Sequence, residues 1–166
     1  ILTVLAFVHQ HRMIHRDIKP ANLIRQASNG DIFLIDFGVV KALSKSEISR
    51  NGQMTATVNV GTVGYIAPEQ SRGKLCYASD LYSVGMVAIA ALMDVQPQRL
   101  DINPLTQKVQ WSDPTISPAL ETFIKRLIAP NPNHRYPTAT DALKALERTI
   151  TGIRVGQDSA LPTHVA

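Results

Sequence analysis

Fifteen residues into the chain begins the string His15-Arg16-Asp17-Ile18-Lys19-Pro20-Ala21-Asn22, and Asp36-Phe37-Gly38 starts nineteen residues after Asp17. Between them, Leu23-Ile24 and Ile32 to Ile35 are short apolar runs around Ser28-Asn29-Gly30-Asp31. Asn-Gly between apolar runs predicts a β-hairpin, because both residues tolerate positive φ. Taken singly, Asp17, Asn22 or Asp36 reads as a loop-capping residue. Taken in order, Asp17 is followed within nineteen residues by a lysine and two further oxygen-bearing side chains, Lys19, Asn22 and Asp36.

The rest of the chain is mostly helical in pattern. Leu2, Leu5, Ala6 and His9 fall at helical spacing and predict a helix leading into the polar string. Residues 41 to 60 are rich in Ser, Thr, Asn and Lys and lack periodicity, as in a flexible loop. Residues 80 to 93 read as an apolar helix. Leu120, Phe123, Ile124, Leu127 and Ile128 mark an amphipathic helix, with Ser117 as its cap and Pro118 in its first turn. Thr138 and Asp141 form a T-x-x-D cap before Ala142, Leu143 and Leu146. Residues 151 to 166 lose periodicity and read as a tail or the start of a linker. The fold expected is mainly α with a small β-hairpin, in one domain over 1–150.

Composition limits the alternatives. The 166 residues are 45% hydrophobic and 18% charged, which suits one globular domain able to bury a core. The net charge of +4 is scattered, with no run of like charges, so no nucleic-acid partner is expected. Cys76 is the only cysteine, so no intrachain disulfide can form, and a reducing cytoplasmic setting is expected. The longest apolar run, Val84 to Met93, is about half a membrane span, so no membrane segment is expected. His9, His11, His134 and His164 show no metal-ligand spacing, which argues against zinc. An isoleucine at position 1 suggests a chain that begins inside a longer protein.

The HRDIKPAN string, Asp36-Phe37-Gly38, Gly61-Thr62 and Ala67-Pro68-Glu69, in that order, resemble the protein kinase family, on its serine/threonine branch. Lys19 and Thr62 fit a Ser/Thr rather than a tyrosine acceptor. The strings SDLYSVG and PEQ resemble bacterial members, cyanobacterial ones above all. The resemblance covers about residues 1–150 and implies the large, C-terminal lobe of a kinase. No Gly-rich loop or V-A-I-K lysine lies within the fourteen residues before His15, so the N-terminal β lobe is expected to be missing.

The resemblance also implies roles. Asp17 is the base, Lys19 contacts the transferring phosphate, and Asn22 and Asp36 hold Mg2+. Thr62 packs against Asp17 and Lys19. Ile24 either lies under the adenine of ATP or is a plain strand residue of the core. His15 and Phe37 stack in an internal spine. Asp80 hydrogen-bonds the backbone of the His15–Asp17 turn, and Arg135 pairs with Glu69. Arg16 receives a phosphate placed on Thr55 or Thr57, with Ser44, Ser46 and Ser49 as weaker acceptors; the lesser alternative is that all five are ordinary solvated hydroxyls. The implied activity is transfer of the ATP γ-phosphate to Ser or Thr hydroxyls of a protein, with residues 1–166 alone expected to be inactive. Three rivals stand beside it. One is a non-catalytic interaction module, and another is a truncated gene product. The third is a small-molecule phosphotransferase, which Gly61 to Glu69 disfavours.

Overall fold

A computed structural model of the chain describes residues 1–37, 41–42, 54–55 and 62–158, of which 41–42, 54–55 and 153–158 are described for their backbone alone. Its described helices are α1 (Leu2–Gln10), α2 (Tyr77–Met93), α3 (Pro118–Leu127) and α4 (Ala139–Asp158). Six short strands accompany them: β1 (Met13–Ile14), β2 (Leu23–Arg25), β3 (Ile32–Leu34), β4 (Lys41–Ala42), β5 (Met54–Thr55) and β6 (Lys74–Leu75). They form three antiparallel pairs, β1 with β4, β2 with β3, and β5 with β6.

α2 is the centre of the molecule. From Ala78 to Val87 every residue is buried, as is Ile89, so this helix is surrounded by protein on all sides. It begins at Tyr77, three residues before the expected start. Cys76 and Ser79 supply the cap: the Cys76 N–H donates to Ser79 Oγ at 3.2 Å. α3 packs against α2 closely because Gly85 has no side chain. A Cβ there would lie 2.5 Å from Ile128 Cγ2 and 3.0 Å from Leu127 Cβ. α3 is capped as expected, with Leu120 N–H donating to Ser117 Oγ at 3.2 Å and Pro118 at its first position. The Thr138 hydroxyl likewise accepts from the Asp141 N–H at 3.1 Å at the start of α4. Leu5, Leu81, Ile124, Leu127 and Ala142 come from all four helices and share one core.

The hairpin is β2–β3, in register Leu23 to Leu34, Ile24 to Phe33 and Arg25 to Ile32. Gly30 supplies its positive φ of 79°, and Asn29 Oδ1 accepts from the Asp31 N–H at 3.1 Å. Three expectations need correction. Two further strand pairs exist beside the one hairpin, each two residues long. The alternative that Ile24 is a core residue fails, because it is 51% exposed. Residues 151–158 continue α4 rather than forming an irregular tail. Of the loop expected at 41–60, only β4 and β5 belong to the described residues, so Thr57, Ser44, Ser46 and Ser49 lie outside them, as does the side chain of Thr55.

Candidate active site

The loop between β1 and β2 is held from below by Asp80. This carboxylate sits in the first turn of α2, where a negative charge meets the helix N-terminus favourably. It is 1% exposed, and a buried carboxylate needs donors. Oδ2 accepts from the His15 N–H at 2.9 Å and from His9 Nε2 at 2.9 Å; Oδ1 accepts from the Arg16 N–H at 2.9 Å. Arg16 has φ of 75°, a left-handed conformation that costs a non-glycine residue about 1–2 kcal/mol. Asp80 holds it there, helped by Gln70 Nε2, which donates to the Arg16 carbonyl at 2.8 Å.

Above this support, four predicted site residues meet. Lys19 Nζ donates to Asp17 Oδ2 at 2.7 Å and to Thr62 Oγ1 at 2.9 Å. The Thr62 hydroxyl donates to Asp17 Oδ1 at 3.1 Å. Asn22 Nδ2 donates to the Asp17 carbonyl at 2.7 Å and to its Oδ2 at 3.2 Å. Both carboxylate oxygens are thus fixed in direction. Burial pushes the Asp17 carboxyl up, but hydrogen bonds from Lys19, Thr62 and Asn22 and the Lys19 charge pull it down. The balance falls below the usual carboxylate value. A depressed folded-state value means that the stability this group adds is complete above about pH 4 and is lost as pH falls through the lower, folded value. An NMR titration of the Asp17 carboxyl carbon is expected to give a midpoint below about 3.9, and Lys19→Met to move it upward. A midpoint indifferent to Lys19→Met would show that the 2.7 Å contact does not hold in solution.

The hairpin brings the second cluster alongside. The Ile35 N–H donates to the Asn22 carbonyl at 2.9 Å, so Asp36 follows directly on the strand bonded to Asn22. Asp36 also has a left-handed φ, 64°. His15 Nε2 donates to the Ile35 carbonyl at 3.3 Å, and its fully buried ring meets Phe37 edge-on at 4.9 Å. With Asn22 Nδ2 committed to Asp17, the amide presents its oxygen elsewhere. An amide oxygen in the turn before β2 and a carboxylate just beyond β3 are hard donors of the kind magnesium takes, completed by water and phosphate oxygens. Such a site needs no denser set, and the described residues hold no cluster of three or more His, Cys, Asp or Glu suited to a metal.

Farther from this cluster, Glu69 and Arg135 form a two-pronged pair. Arg135 Nη1 and Nη2 donate to Glu69 Oε1 and Oε2 at 2.7 and 2.8 Å. The guanidinium also donates to the carbonyls of Ala78 at 2.8 Å and Ala129 at 2.7 Å, and lies 4.9 Å from the Tyr82 ring centre. The Ser79 hydroxyl donates to Glu69 Oε1 at 2.7 Å.

Sequence reasoning missed two supports. His9 falls among the histidines that lack metal spacing, and nothing in the sequence singles out Gln70. Helical spacing gave His9 a buried face, which was the available signal that a polar partner must await it there. Gln70 carried none.

The described helices include none long and apolar enough to cross a membrane. The protein kinase domain family matches residues 1–146. Serine/threonine-protein kinase PknA of Nostoc sp. is 42% identical over 149 residues, which cover 89% of this chain and 26% of that protein. Serine/threonine-protein kinase C of Synechocystis sp. is 37% identical over 155 residues, 92% of this chain and 29% of that protein. Serine/threonine-protein kinase PknB of Mycobacterium tuberculosis is 35% identical over 159 residues, 89% and 25% of the two chains. The chain therefore spans 25–29% of the length of these curated relatives. A family match over residues 1–146 and relatives that agree in kind carry one conclusion: the chain belongs to the protein kinase family, on its serine/threonine branch.

Proposed function

We propose that residues 1–150 form the C-terminal-lobe part of a cytoplasmic catalytic domain that phosphorylates Ser or Thr hydroxyls of proteins. The observation that carries this is the ionised Asp17, aimed by Lys19, Thr62 and Asn22 at once. ATP is the γ-phosphoryl donor, and a bound Mg2+ would supply neutralisation of its charge. Asp17 accepts a hydrogen bond from the acceptor hydroxyl and so aligns its oxygen with the phosphorus. The oxygen–phosphorus bond forms, the bond to the departing ADP oxygen breaks, and the hydroxyl proton passes to Asp17. Lys19 sits 2.7 Å from that carboxylate and offers its charge to the group in transit. Asn22 and Asp36 would hold the metal, and Ile24, on the exposed face of β2, would lie under the adenine. His15 and Phe37 keep Asp36 in register with Asn22.

Arg16 is the regulatory contact. Its Nε is buried without a partner among the described residues, and a phosphate on Thr55 or Thr57 satisfies it. The missing upper wall, a Gly-rich loop and strand lysine, comes from sequence outside residues 1–166.

The test is the full-length protein with radiolabelled ATP and a generic basic acceptor. Asp17→Asn is expected to lower transfer at least a hundredfold without changing the melting temperature by more than a few degrees. Phosphopeptide mapping of the wild-type product is expected to find Thr55 and Thr57. Equal transfer by the two proteins would remove Asp17 from the reaction.

A further inference from the structure

Between α2 and α3, residues 101–110 form a short finger. Backbone bonds close it. The Gln110 N–H donates to the Asp101 carbonyl at 2.8 Å, the Asn103 N–H to the Lys108 carbonyl at 2.9 Å and the Gln107 N–H to the Asn103 carbonyl at 2.8 Å. Asn103 Oδ1 fixes the tip, accepting from the Leu105 and Thr106 N–H groups at 3.0 and 2.9 Å. Gln107, at φ 56°, turns the chain back, and its side-chain amide donates to the Pro104 carbonyl at 2.9 Å. This ordered tip carries Leu105, which is 92% exposed. A single exposed leucine is ordinary; what sets this one apart is the cavity beside it.

Thr106 and Gln107 form one wall of a cavity of about 370 Å3, whose other walls include Glu69, Arg72, Lys74 and Asn131. Pro68, Pro130 and Pro132 stiffen it and bring no N–H groups of their own. The one acid in the lining is already spent. Glu69 is buried and gives both carboxylate oxygens to Arg135 and one also to Ser79. The two cations are not spent. Arg72 and Lys74 are exposed and form no ion pair among the described residues, and neither does Lys108 on the finger. Asn131 uses its Oδ1 to accept from the Asn133 N–H at 3.0 Å, so its Nδ2 remains a donor. The cavity therefore offers donors and positive charge with no uncompensated negative charge, next to an apolar tip.

We propose that the finger and this cavity together bind an acidic segment of a partner protein. A Glu or Asp side chain of the partner enters between Arg72 and Lys74, and an apolar residue a few positions along packs on Leu105. Inside a concave wall, opposite charges attract more strongly than on open surface, whereas a basic segment is repelled. A neutral segment gains the leucine contact alone. Charge also favours a protein over a nucleic acid here. The net charge of +4 is scattered along the chain, and the residue beside the cations is aliphatic, with no ring on which a base could stack. The binding is separate from phosphate transfer and needs none of the groups around Asp17.

The experiment uses the full-length protein without ATP and the fluorescence anisotropy of a short labelled peptide that carries glutamates beside a leucine. Replacing its glutamates by glutamine is expected to weaken binding about tenfold, as is the double variant Arg72→Glu with Lys74→Glu. Raising the salt from about 0.05 M to about 0.5 M is expected to weaken the glutamate peptide and to leave the glutamine peptide nearly unchanged. Leu105→Ser is a second variant, expected to weaken the glutamate peptide about tenfold through lost apolar contact. All three replaced side chains are exposed, so the melting temperature is expected to stay within about 2 °C of wild type. No binding, equal binding of the glutamate and glutamine peptides, or binding unchanged in both variants overturns the proposal. So does tighter binding of phosphatidylserine vesicles or a single-stranded oligonucleotide that is lost with Arg72 and Lys74, since the cations would then serve a lipid or nucleic-acid partner. Absence of Asp17-dependent transfer with this peptide binding intact would overturn the catalytic reading alone.

Discussion

Arg135→Ala is expected to lower the melting temperature of the protein by roughly 6–20 °C. The guanidinium is 2% exposed and spends its donors on Glu69, Ala78, Ala129 and, at 3.3 Å, Pro130. Removing it leaves the Glu69 carboxylate buried, with the Ser79 hydroxyl as a remaining donor. Breaking one partner of such a pair costs about 3–5 kcal/mol, and for a chain of this size each kcal/mol moves the midpoint by about 2–4 °C. Arg148→Ala, on an exposed part of α4, is expected to move it by no more than about 2 °C. The double replacement Glu69→Leu with Arg135→Met removes both charges and is expected to recover part of the loss. Recovery is partial because the carbonyls of Ala78 and Ala129 still lose their donor. Equal midpoints for Arg135→Ala and Arg148→Ala, measured by calorimetry, would show that the pair is not buried in solution.

That pair also shows what the sequence could and could not convey. Glu69 and Arg135 are 66 residues apart, and no local pattern joins them. Motif resemblance linked them, as it linked Asp80 to the turn at His15 and Arg16. Local physics sufficed elsewhere. Asn29-Gly30 gave the hairpin because its turn needs the positive φ that Gly30 adopts. Ser117-Pro118 gave the start of α3 because a hydroxyl and a ring without N–H both suit a first turn. The start of α2 was misplaced because cysteine is not among the usual caps, yet Cys76 and Ser79 together serve as one. The pairs β1–β4 and β5–β6 were illegible because two-residue strands carry no alternation. The extension of α4 to Asp158 was hidden by Gly152, which lowers helix propensity while the backbone continues through it. The contacts of Gln98 with Val63, Pro97 with Gly64 and Ser83 with Tyr65 join segments up to 35 residues apart. None of these follows from periodicity.

Residues 1–166 expressed by themselves are expected to transfer no measurable phosphate. On the proposed reading they hold a base in Asp17, a phosphate contact in Lys19 and two oxygen ligands in Asn22 and Asp36. The sequence contains no Gly-rich loop ahead of these and no strand lysine to clamp the α and β phosphates. Losing one preorganised electrostatic contact typically costs about 10²–10³-fold in rate, and several are absent together with the positioning they give. The surface where such a wall would rest is visibly apolar. Ile24 is 51% exposed, its register partner Phe33 50% and Phe37 43%. Leaving that face in water also predicts self-association of the isolated piece, which light scattering would register. Joining the residues to an upstream segment that supplies the loop and the lysine is expected to restore transfer and to suppress the association. Asp36→Ala in the joined protein is expected to abolish transfer again while leaving it dispersed, because the metal ligand is lost and the covered face is not. Radiolabelled ATP with a basic protein acceptor measures the first effect. Clear Asp17-dependent transfer by residues 1–166 alone would show that the lower wall suffices to align the phosphate.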